Sequence, residues 1–144
     1  MNILKKIIAA TLFCFFCVFF GDAQTILPSF VKGDFVDDYG IRYSVSDTLW
    51  KQLPRAQYHI IETNIKEQYI IARNGAGNAT EAGLFTRIDY MPFSNMGAFE
   101  WGFCYTVYKA QSDNEARESK PADRENPRKG CNGFPFSRMK RDTQ

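Results

Sequence analysis

Phe99-Glu100-Trp101-Gly102-Phe103-Cys104-Tyr105-Thr106-Val107-Tyr108 is the stretch on which the fold turns. In an extended chain successive side chains point to opposite faces. Phe99, Trp101, Phe103, Tyr105 and Val107 then share one face, and Glu100, Gly102, Cys104, Thr106 and Tyr108 share the other. A helix would scatter the five large apolar groups around its axis. Full burial of such a side chain contributes about 1.5–3 kcal/mol. This face is therefore expected at the centre of the core, or as the wall of an aromatic pocket.

The segments before it follow the same logic. Leu84–Tyr90 reads as a strand ended by Pro92, and Tyr58–Thr63 and Gln68–Ala72 as strands joined tightly through Asn64–Glu67. Asn74–Asn78, with two glycines, reads as a flexible loop. Ile41, Tyr43 and Val45 alternate with Arg42, Ser44 and Ser46, and Thr48-Leu49-Trp50 continues that sheet before Pro54. Asp37-Asp38-Tyr39-Gly40 is a turn after a first strand, Gly33-Asp34-Phe35-Val36. Six or seven short strands with turn signals between them predict a mainly all-β domain, a small antiparallel barrel or sandwich.

After Lys109 the composition changes. Ser112-Asp113-Asn114-Glu115 has the capping-box form, predicting a short helix through about Ser119 that Pro121 stops. Ala122–Lys129 reads as a charged loop, and Gly130–Phe136 as a segment stapled back onto the Cys104 strand. Residues 109–144 are expected to form a helix-and-loop tail tied to the sheet, its basic groups (Arg128, Lys129, Arg138, Lys140, Arg141) largely solvated.

The N-terminus has a different character. Lys5 and Lys6 precede an apolar run, Ile7–Phe20, and Gly21-Asp22-Ala23 follows. A basic start, an apolar run of roughly 7–15 residues and small residues at the cleavage point describe a secretory signal peptide. The run falls short of the about 20 apolar residues that a spanning helix needs. Residues 1–23 are thus expected to be removed, leaving 24–144 as one exported domain without a membrane span, extracellular or periplasmic. Five of the thirteen phenylalanines, and Cys14 and Cys17, lie in the segment removed. Cys104 and Cys131 are left as a pair, for which an oxidising compartment favours a disulfide over two free thiols.

The chain offers little for catalysis. A formal net charge of +2 argues against a dedicated nucleic-acid binder. His59 is the single histidine, so a histidine-based metal site or a two-histidine mechanism has no residues to use, and a structural role is expected for it. It also leaves little to activate a catalytic cysteine. No cofactor and no metal site are predicted. Arg87 and Asp89 share a strand face, as an internal ion pair, outward surface charges or a polar anchor inside a barrel. With Trp101 and Tyr105 they are the candidate ligand-binding residues. Asn78-Ala79-Thr80 fits an N-glycosylation sequon, of consequence in a eukaryotic host. Asp37 and Asp38 suit a turn better than a Ca²⁺ or acid/base site.

Four segments carry a resemblance: Phe35–Gly40, Gly83–Tyr90, Phe103–Ala110 and Ala122–Phe134. Together they resemble a family of small exported bacterial β domains of uncharacterised function. The resemblance spans residues 33–136 and implies that the paired cysteines belong to the domain's design. Phe35, Phe85 and Phe136 stand where such relatives tend to show tryptophan. Gly33-Asp34-Phe35 and the aromatic-rich meander are more weakly similar to lipocalin-type barrels, which usually have Gly-x-Trp there and are longer. Aromatic density without a catalytic constellation predicts a non-enzymatic binding domain for a small apolar ligand or a protein partner. The alternatives are a secreted hydrolase using two of Asp37, Asp38, Asp89 and Glu100, and a structural, envelope-associated role.

Overall fold

The structure, a computed structural model, describes residues 26–144; the expected signal segment with Cys14 and Cys17 lies outside the described residues. Eight strands follow one another round a closed barrel: β1 (Gly33–Asp37), β2 (Arg42–Val45), β3 (Leu49–Gln52), β4 (Ala56–Asn64), β5 (Tyr69–Asn74), β6 (Phe85–Pro92), β7 (Trp101–Ala110) and β8 (Ser137–Arg141). Every neighbouring pair is antiparallel, and β8 pairs with β1 to close the ring. Closure leaves no row of unpaired backbone groups at a sheet edge.

The eighth strand corrects the expectation that residues 109–144 form only a helix-and-loop tail. Ser137–Arg141 holds one apolar residue among three cations, so it carries almost no hydrophobic pattern. Met139 alone enters the interior and is fully buried, and the backbone ladder to β1 and β7 supplies the rest. Arg141 ties the last strand to the first. Its guanidinium lies 4.4 Å from the centre of the Phe35 ring and donates to the Lys32 carbonyl at 2.6 Å.

The interior is a stack of rings. Phe35, Trp50, Tyr90 and Trp101 are fully buried, Tyr43 and Phe103 nearly so, and Val31, Ile70, Ile88 and Met139 fill between them. Trp50 meets Phe103 edge-on with centroids 5.0 Å apart, and Phe35 meets Trp101 at 5.1 Å. Edge-to-face pairs at this spacing add about 0.5–1.5 kcal/mol each beyond area burial. A 3-10 turn at Ser29–Val31 brings Leu27 and Val31 into the same cluster at the end where β1 begins.

The outer wall of β5, β6 and β7 is covered as well. Helix α1 (Asp113–Glu118) lies over it; the Ser112 hydroxyl accepts from the Glu115 amide, and Glu115 accepts from the Gln111 amide. Ala116 packs there with Tyr69, Ile71, Ala110, Phe85 and Val107. This explains the unbroken run Tyr69-Ile70-Ile71-Ala72: a strand buried on both faces has no polar face to show.

Two residues of the opening stretch leave the expected face. Phe99 precedes β7, half-buried beneath the Arg138 guanidinium at 4.6 Å. Val107 turns outward because the ladder slips between Arg87, paired with Val107, and Ile88, paired with Tyr105. Thr106 is the extra residue, and such a bulge reverses the in-out alternation beyond it.

Candidate functional site

Of the four ligand-binding candidates, Trp101 and Tyr105 lie in the barrel. Trp101 is fully buried among Phe35, Trp50 and Phe103, a core side chain. Tyr105 is half-buried; its hydroxyl accepts from Trp50 Nε1 at 3.0 Å and donates to Gln52 Oε1 at 3.2 Å. The rings of Tyr105 and Tyr58 are 5.4 Å apart. Tyr43 donates to Asp37 at 3.0 Å, and burial, then the facing Asp37 carboxylate, drives its phenol far above the ordinary range. Burial also raises Tyr58 and Tyr105, and pushes Tyr90 up to about 12.

These phenols make stability fall in alkali. Below the unfolded value near 10 they are neutral in both states and their contribution is whole. Above it the unfolded chain ionises while the folded one does not, so unfolding releases protons. Tyr43 and Tyr90 together are expected to cost about 3 kcal/mol per pH unit between roughly pH 10 and 12. Thermal midpoints from pH 8 to 12, read beside phenolate absorbance at 295 nm, check this: ionisation should accompany unfolding.

Arg87 and Asp89 face away from the interior yet are buried, 3% and 0% exposed, beneath α1 and the segment after it. Arg87 donates to both Asp89 oxygens, at 3.0 and 3.1 Å, and to the Arg117 and Ser119 carbonyls at the end of α1. Asp89 also accepts from Arg124 at 3.0 Å, from the Ala122 amide at 3.4 Å and from the Thr106 hydroxyl. Arg124 reaches on to the carbonyls of Gln68 and Tyr90. Beyond their contacts with each other and with Thr106, the pair thus joins the barrel wall to the chain between β7 and β8 through Arg117, Ser119, Ala122 and Arg124. The disulfide adds to this: Cys104 on β7 is bonded to Cys131, Cα atoms 5.5 Å apart, in a cluster with Ala122, Phe136, Met91 and Phe93.

The remaining candidates lie apart. Asn78 accepts from the Gln57 amide and donates to the Gln57 carbonyl, both at 2.9 Å, so its carboxamide pins the loop to β4. Asn74 pins the same loop, donating to the Glu81 and Tyr108 carbonyls. His59 is exposed on β4, with Arg55 and Gln57 in a shallow recess. The four carboxylates do not share a cleft. Asp37 accepts from the Tyr39 and Ile41 amides inside its turn, Asp38 pairs with Arg138 at 2.9 Å, Asp89 is buried as described, and Glu100 lies exposed near Arg141. Among the described residues no three histidine, cysteine or carboxylate side chains cluster to hold a metal ion, and no helix is long and apolar enough to cross a membrane.

A groove of about 620 Å³ lies on the outer wall instead. Three stretches distant in sequence form it: the Asp38-Tyr39 turn, the chain leaving β6 from Met91 to Met96, and the disulfide-held segment from Pro127 to Arg138. Phe93 folds back across β7 onto Gly102, where a β-carbon would sit 2.5 Å from its ring edge. Phe136 is buried at the floor, Met96 and Tyr39 are exposed at the rim. No spacing in the sequence brings these stretches together; the nearest signal is the pair Met91 and Phe93 flanking a strand-ending Pro92. Comparison of the chain with protein-family models, with curated proteins and with solved structures finds no match.

Proposed function

We propose that the chain is an exported, non-enzymatic binding domain whose recognition surface is the groove beside the disulfide. The observation that carries this is the contrast between the two apolar regions. The barrel interior is packed with its own rings, whereas the groove is open, within the about 300–1,000 Å³ of ligand sites, and lined by methionine, proline and aromatic side chains. Thioether and ring surfaces adapt to varied apolar partners. The disulfide, and the Phe136 amide bonded to the Pro127 carbonyl, hold the groove's tail wall, so recognition does not wait on ordering that segment. Export is supported by the signal-like sequence of residues 1–23 and by the disulfide, a bond at home in oxidising compartments. The next-neighbour eight-strand barrel is in keeping with the weak likeness to lipocalin-type barrels. Carbon-chain alcohols provide a test. Titration of the ¹⁵N-labelled domain with decanol should give saturable shifts of the Met91, Phe93 and Phe136 amides, leaving Ile70, Ile88 and Phe103 unmoved. Shifts of the interior amides instead, or no saturable shift, would overturn the reading.

A further inference from the structure

Apolar side chains dominate the groove's lining, with charged ones among them. Three charged side chains line it: Asp38, Arg128 and Arg138. Asp38 and Arg138 neutralise each other, the guanidinium Nε 2.9 Å from the carboxylate. The Arg138 guanidinium is also spent on the face of Phe99. Arg128 is exposed, and among the described residues it meets no carboxylate and donates no side-chain hydrogen bond. The lining is left with one uncompensated positive charge beside Met91, Phe93, Met96 and Phe136.

We infer that the groove binds a fatty acid, its apolar chain along Met91, Phe93 and Phe136 and its carboxylate on Arg128. This rests on the groove being the recognition surface and adds the chemistry of the ligand. A guanidinium presents a planar fork of donors that matches a carboxylate, whose single charge balances the one unpaired charge of the lining. An apolar chain alone would leave that fork unused, and a cationic head would meet the uncompensated charge.

Four decyl compounds, titrated below their micellar concentrations and followed by the same amide shifts, separate the ideas. Decanoate should bind at the groove more tightly than decanol and at least as tightly as decyl phosphate, and decyltrimethylammonium most weakly. Arg128→Gln, at an exposed position without a partner, should keep the fold. It should weaken the anions about fivefold and leave decanol unchanged, the scale of one partly exposed ion pair. Tighter binding of decyl phosphate than of decanoate would overturn the fatty acid as occupant in favour of a phosphate head. Equal binding of all four at the groove, or indifference to Arg128→Gln, would overturn the anionic head while sparing the groove as the surface. Absence of groove binding by every compound would overturn both. Shifts centred on Lys140 and Arg141 would place the anion site elsewhere and overturn the inference.

Discussion

Asp89→Asn is expected to remove about 3–5 kcal/mol from folding stability, the scale for breaking a buried ion pair by deleting one partner. The carboxamide keeps the shape of the side chain but leaves the Arg87 guanidinium, 3% exposed, without its counter-charge, and draws one bond from Arg124. A domain of this size has about 5–15 kcal/mol in total, so the loss would be visible as a large fall in the urea midpoint. The Arg87→Met, Asp89→Leu double variant should lose less than the sum of the two single variants, because paired apolar replacements remove both desolvation penalties together, although Arg124, Thr106 and the Ala122 amide lose their acceptor. A double-mutant cycle reads the coupling directly. If the double variant lost as much as the sum of the singles, the network would not be the unit described above. Native-state hydrogen exchange adds a spatial check: opening should concentrate in 113–124, which the network holds against the barrel.

Removal of the disulfide, by Cys104→Ala with Cys131→Ala, should cost about 3–4 kcal/mol on chain-entropy grounds, for a cross-link spanning 27 positions. The effect should be local in structure. Ala122 and Phe136 pack around the bridge, outside the ring-filled interior, so the barrel should persist while the tail segment and the groove loosen. Urea unfolding of the oxidised, reduced and double-alanine forms measures the loss. Agreement between the last two assigns it to the bond; a fall in the alanine variant alone would assign it to lost packing of the sulfurs.

Much of the fold is legible in particular residues. Ile41, Tyr43 and Val45 alternate because one face of β2 is inside, and the capping signal at Ser112 and Glu115 is local enough to read directly. The misreadings have definite causes. Ser137–Arg141 closes the barrel with one apolar side chain, too few for a period to register. Val107 changes face at a bulge, which depends on the register with Arg87 on another strand. Arg87 and Asp89 are visibly a pair in sequence, but the side of the sheet they face, and what covers them, depend on α1 and residues 119–124. Trp101 and Tyr105 stand out for size and spacing, which mark a core as readily as a pocket wall; the packing of Trp50, Phe35 and Phe103 around Trp101 makes it core.

By itself the sequence determined the β class, most strand positions, the short capped helix and the pairing of two cysteines, because each follows from near neighbours or from simple counting. Tertiary structure decided the eighth strand, the filled interior, the outward burial of Arg87 and Asp89, and the groove. These depend on residues far apart in the chain, such as Tyr39, Phe93 and Phe136, and on which side of a closed sheet the covering segment lies. The physical reason is that periodicity reports only that a face is buried. Burial against the interior and burial beneath α1 or the stapled tail leave the same pattern along a strand, and only closure of the barrel separates them.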